Sequence, residues 1–164
     1  MRKTVRIAAG VAAAVAVMAF AISCGDSTSP SLPTYTATLI AANEPNPPST
    51  ATGTGTATLV DHGTFFEYEV AVTGLTAISA SHIHGPAAAG VNAGIVENLF
   101  IPNGPPFGQV DGILATGVIT NATNASLTID ALRAMIIARN AYVNVHTNPG
   151  FPAGAIRGQL VRSN

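Results

Sequence analysis

The chain is poor in the residues that most often announce a function. Its 164 residues include one cysteine, Cys24, and one lysine, Lys3. A lone cysteine forms no disulfide within the chain, so the fold must rest on packing. Charge is scarce, at 9 % of residues. Beyond position 24 the positive side chains are Arg133, Arg139, Arg157 and Arg162, against eight acids, a formal net charge of −4. A weakly acidic surface without lysine lacks the basic stripe of a nucleic-acid binder. It also lacks a polybasic patch for anionic lipid. No Gly-rich phosphate loop is present; TGTGTA at 52–57 has threonine where lysine is required. There is no G-x-S-x-G elbow and no thiol for nucleophilic catalysis. The acids are spread singly, so no carboxylate pair is visible along the chain.

What is present begins with an address. Residues 1–6, MRKTVR, are basic, and residues 7–22, IAAGVAAAVAVMAFAI, are apolar throughout. This is the pattern of a secretory signal, and it is short and alanine-rich for a membrane span. It ends in AISC, which resembles the lipobox of bacterial lipoproteins, with Ala21 where leucine is usual. The resemblance implies cleavage before Cys24, lipidation of its sulfur, and anchoring to the cell envelope by several acyl chains. The expected organisation is a signal peptide at 1–23, a Ser/Pro-rich tether at 24–33 and one domain at 34–162.

From Thr34 the texture changes. TYTATLIAA, GTGTATLVD, TFFEYEVAV, SASHIHG, AGIVENLFI, DGILATGVIT, AYVNVHT and AIRGQLV are short runs rich in Thr, Val, Ile and aromatics, separated by turn residues. In TFFEYEVAV, Phe66, Tyr68, Val70 and Val72 fall on one face, with Glu67 and Glu69 on the other. Eight such runs predict an all-β antiparallel Greek-key β-sandwich. The loop 101–112, long for a hairpin, is expected as a rim or lid. LTIDALRAMIIARN predicts one short helix at 131–139, capped by Asp130, closed at Asn140 and covering an end of the sandwich.

The chemistry rests on histidine. His82 and His84 alternate with Ile83 on a strand, so both point to one face, about 6.5 to 7 Å apart at the backbone. His146 sits in YVNVHTNPG, on a face with Tyr142 and Asn144, opposite Val143 and Val145. If the two strands are neighbours, three imidazoles meet, a nitrogen set suited to Zn²⁺ or Cu²⁺. His62, in the turn VDHG, is a weaker fourth candidate. The competing reading is a polar network of His82, His84, Asn144, His146 and Arg157 that locks strand ends together without an ion.

Three stretches in order resemble the CHRD domain, named for its occurrence in animal chordin and found also in bacterial exported proteins. They are LIAANEPNPPSTATG (39–53), HIHGPAAAGVNAGIV (82–96) and AYVNVHTNPGFPAGAIRGQL (141–160). The resemblance implies an immunoglobulin-like or superoxide-dismutase-like sandwich and puts His82, His84 and His146 in motif positions. It implies no defined activity. Two departures stand out: Ala155 replaces a glutamate common before IRGQ, and NEPNPP lacks a valine between Glu and Pro. The first removes a carboxylate suited to pair with Arg157 or a histidine.

The expectation is a lipid-anchored extracytoplasmic domain with a non-enzymatic binding or envelope-structural role. Its partners would be the membrane, through the anchor, and a protein or envelope ligand. The alternative is a Cu- or Zn-binding metalloprotein for transfer, storage or redox work. An enzyme using these histidines as acid–base groups is a third possibility, with no substrate named by the sequence.

Overall fold

Short runs of Thr, Val and Ile broken by Gly and Pro favour pleated strands over helix, and the computed structural model is built accordingly. It describes residues 31–45, 47–105, 108–120 and 127–164. The signal segment, Cys24 and residues 24–30 of the tether lie outside the described residues. The strands are β1 (Thr34–Ile40), β2 (Thr54–Asp61), β3 (Phe66–Leu75), β4 (Ile78–His84), β5 (Ile95–Phe100), β6 (Val110–Ile119), β7 (Tyr142–Thr147), β8 (Ile156–Gln159) and β9 (Val161–Arg162). Where one run was expected in AIRGQLV there are two strands, because Leu160 turns out of the ladder to donate its N–H to the Ala141 carbonyl at 3.0 Å.

All strand pairs are antiparallel, in the order β5-β4-β7-β8-β1-β2-β3-β6, with β9 beside β1. Strand β7 returns to lie beside β4, and β6 returns to lie beside β3, the crossovers that define a Greek key. The two ends of the order, β5 and β6, approach each other. There the Tyr68 hydroxyl of β3 donates to the Leu99 carbonyl of β5 at 2.7 Å. The result is a nearly closed, barrel-like sandwich around one apolar core, which includes Leu39, Leu59, Phe66, Val70, Ile83, Val143, Val145 and Ile156. Phe66, Val70 and Val72 point inward from β3 with Tyr68 half-buried, while Glu67 and Glu69 are exposed, as the alternation required. Residues 101–109 carry the chain from β5 to β6; 106 and 107 lie outside the described residues.

The helix α1 spans Ile129–Ile137, two residues earlier than expected. Its N-cap is Thr128, whose hydroxyl accepts from the Ala131 N–H at 3.2 Å. Asp130 instead sits in the first turn, where its charge suits the helix dipole and pairs with Arg133. At the other end Arg139 takes the left-handed conformation (φ 58°). The Arg139 N–H bonds Ile136 O and the Asn140 N–H bonds Met135 O, both at 2.9 Å. That is a Schellman closure in which Asn140 contributes only its backbone. Leu132 and Ile136 are buried in the core. Arg133 reaches back to Asp61 at the end of β2, Nε to Oδ2 2.6 Å, so the helix covers and pins one end of the barrel.

The sheet is not uniform around its circumference. Strand β3 alternates buried and exposed residues, and half of β6 is exposed. Strand β7 is buried at nearly every position, as are β8 and the second half of β4. Their inner faces meet the apolar core. Their outer faces lie under residues 41–45, 47–49, 86–94 and 148–154, and the side chains on that outer face are polar. Two rows stand side by side across these strands. His82 pairs with Asn144 and Asn144 with Arg157; His84 pairs with Tyr142 and Tyr142 with Gln159.

Candidate metal centre

The register places Ala80 opposite His146 and His82 opposite Asn144. His82 and His84 of β4 therefore share a face with His146 of β7, and the three rings converge. Ring centroids lie 5.5 Å apart for His82 and His84, 4.9 Å for His82 and His146, and 5.9 Å for His84 and His146. Each ring offers one nitrogen, and the three nitrogens lie within 4.8 Å of one another. His82 and His84 are each 7 % exposed, and His146 is half-buried.

Hydrogen bonds set the orientation of two rings. His84 Nδ1 lies 2.9 Å from the Ala93 carbonyl, and His146 Nδ1 lies 3.0 Å from the Pro152 carbonyl. A carbonyl oxygen only accepts, so each Nδ1 carries the proton and each Nε2 keeps a lone pair. An imidazole with its far N–H on a backbone carbonyl is the arrangement that orients a metal-ligating histidine. His84 Nε2 is buried without a hydrogen-bond partner. His146 Nε2 lies 3.0 Å from His82 Nδ1, which donates to it. His84 is further held by stacking on Tyr142, with centroids 5.0 Å apart and rings 5° from parallel.

Burial favours the neutral rings. It pulls His82 down to about 4, with the neighbouring His146 and His84 adding to the effect. Burial also lowers His84 and His146, partly opposed by their bonds to the Ala93 and Pro152 carbonyls. Three neutral imidazoles are the protonation state a divalent ion requires.

The surrounding polar layer contains Asn144 and Arg157, as the network reading required, and residues the sequence did not single out. Glu44, 7 % exposed, accepts from Asn144 Nδ2 at 3.4 Å. Burial raises its pKa against the bond from Asn144 and the charge of Arg157. Glu44 thus places a carboxylate near Arg157 where Ala155, fully buried, leaves none. The Arg157 guanidinium lies 3.3 Å over the Tyr142 ring and donates to Asn92 Oδ1 at 3.0 Å and Val91 O at 2.6 Å. The only signal for Glu44 in the sequence is a single acid inside a proline-rich turn. His62 does not join the cluster: it pairs with Glu67 at 2.9 Å and stacks on Phe65.

The family model described as the CHRD domain matches residues 35–160. The chain belongs to the CHRD domain family. All three histidines, Glu44, Asn144 and Arg157 fall inside the matched span. No curated protein and no solved structure matches the chain, so the CHRD assignment brings a family and the site must speak for itself.

Proposed function

We propose that this CHRD domain is a metal-binding module, holding one Cu or Zn ion through His82, His84 and His146, and that its role is non-enzymatic storage or transfer. The observation that carries it is the pair of Nε2 lone pairs, on His84 and His146, each fixed by a backbone carbonyl on the far side of its ring. His82 completes the set by moving its proton from Nδ1 to Nε2, freeing Nδ1 for the ion. Tetrahedral ligands at about 2.0–2.1 Å from Zn²⁺ stand about 3.3 Å apart, so small side-chain rotations close the set. The signal pattern and the AISC stretch support tethering through Cys24 to the cell envelope, with the domain facing the periplasm or exterior. Soluble envelope metal, or a partner protein that delivers it, would then be the ligand.

The test is metal analysis and melting of protein purified without an affinity tag. About one equivalent of Cu or Zn should be retained or taken up. At a hundredfold excess over Kd, binding adds about 2.7 kcal/mol, or roughly 5–10 °C in Tm at this chain size. His84→Ala and His146→Ala should each abolish that gain. Less than about a tenth of an equivalent, with no change in Tm on adding either metal, would leave the cluster as a hydrogen-bonded lock between β4 and β7.

A further inference from the structure

A cleft of about 430 Å³ opens between the 3₁₀ turn at Ala41–Asn43 and the 86–94 segment. Ala42, Asn43, Ala89, Gly90, Arg157 and Gln159 line it. Two of these side chains have unfinished business. Arg157 is 1 % exposed, and its partners, Asn92, Val91 O and the Tyr142 ring, carry no formal charge. Among the described residues no carboxylate lies within 4.0 Å of it. Glu44 attracts it from farther away, and burial pushes Glu44 toward its neutral form. A buried cation without a close counter-charge is expensive to keep. Gln159 donates from Nε2 to Ala87 O at 2.9 Å and Arg139 O at 2.6 Å. Its Oε1 is buried with no hydrogen-bond partner, a second uncompensated group.

We infer that this cleft is a second binding site, independent of the histidines, for a small organic acid: a carboxylate for Arg157 with a hydroxyl for Gln159 Oε1. The guanidinium matches a carboxylate in shape and charge. The orphan amide oxygen demands a donor, which a simple carboxylate or a sulfate dianion does not bring. The volume lies within the range of small-molecule sites.

The experiment is an NMR titration of the ¹⁵N-labelled full chain with lactate, propionate and sulfate. Lactate should shift the Gly90 and Arg157 signals saturably. Propionate, which lacks only the hydroxyl, should bind roughly 3- to 10-fold more weakly, and sulfate, which brings no donor, more weakly than lactate. Ala42 is exposed on the rim, so Ala42→Glu should keep the fold and weaken lactate at least ~10-fold through like-charge repulsion. The assignment is overturned if no cleft signal moves, if Ala42→Glu leaves binding intact, or if propionate or sulfate binds as tightly as lactate.

Discussion

The two sides of this barrel solve the same packing problem differently. On β2, β3 and β6 one face is in the core and the other meets water, so polar residues such as Glu67 and Glu69 need no partners. On β4, β7 and β8 both faces are covered, the inner by Val143, Val145 and Ile156, the outer by segments carrying Glu44, Val91, Asn92, Ala93 and Pro152. The lesson is that a polar residue on the covered side must be held by a named partner, and that holding is what orients the histidines. The histidine cluster lies where the strand pattern is least alternating.

The largest expected contrast comes from removing a charge on each side. Arg157→Ala leaves Val91 O and Asn92 Oδ1 without their donor and opens a cavity over Tyr142; these losses outweigh the relief of removing a buried cation, and the change should cost about 2–3 kcal/mol. Glu69→Ala, on the exposed face of β3, should stay within about 0.5 kcal/mol. Urea unfolding of both variants checks this, and equal costs would end the distinction between the two sides.

Acid should separate the sides next. His82 is at about 4 when folded, against an ordinary value of 6.5. Its neutral form is the folded one, so its contribution is full above about pH 6.5 and is lost as pH falls toward 4. That loss is about 3 kcal/mol for His82 alone. Asp61 behaves in another window. Burial would raise it, but the Arg133 and Gly63 bonds and the Arg133 charge outweigh burial and lower it below 3.8. Its contribution is present above its unfolded value and is lost only as pH drops below about 4. Unfolding midpoints between pH 7 and 3 should therefore fall in two steps, and His82→Gln should shrink the first, whose remainder belongs to His84 and His146, while leaving the second.

A smaller contrast lies in two glycines. At Gly154 (φ 146°) an added Cβ would meet Glu44 Oε1 at 2.3 Å and Asn144 Nδ2 at 2.9 Å. At Gly112 (φ 133°), in β6, it would meet nothing within 4 Å. Gly112→Ala should cost about 1 kcal/mol of backbone strain, and Gly154→Ala about 1 kcal/mol more, because the polar layer must shift as well. Thermal melts of the pair would measure the difference; equal costs would mean that Glu44 and Asn144 yield freely.

Much of this was legible in the residues. Period-two alternation in TFFEYEVAV identifies β3 and its buried face, because one wet side leaves a clean pattern. That His82 and His84 share one face of their strand, and His146 one with Tyr142 and Asn144, follows from strand parity alone, but bringing the three rings together needs the β4–β7 register, a long-range fact that parity does not carry. Arg157 and Asn144 were legible as polar residues among apolar ones. Glu44 was not, since a single acid in a turn looks solvated until residues 41–45 fold over β7 and β8. The Ala93 and Pro152 carbonyls, which fix two imidazoles, have no side-chain signature at all. The helix cap was misplaced because Thr128 and Asp130 both suit an N-terminus, and the side-chain pull of Arg133 on Asp130 leaves the cap to Thr128.

The most direct measurement of the central claim is long-range ¹H–¹⁵N NMR of the histidine rings before and after one equivalent of Zn²⁺. His84 and His146 should begin as neutral Nδ1–H tautomers, and their Nε2 signals should move together with the His82 Nδ1 signal on addition, with His62 unmoved. Nε2–H tautomers at the start, or rings that ignore the metal, would contradict the account.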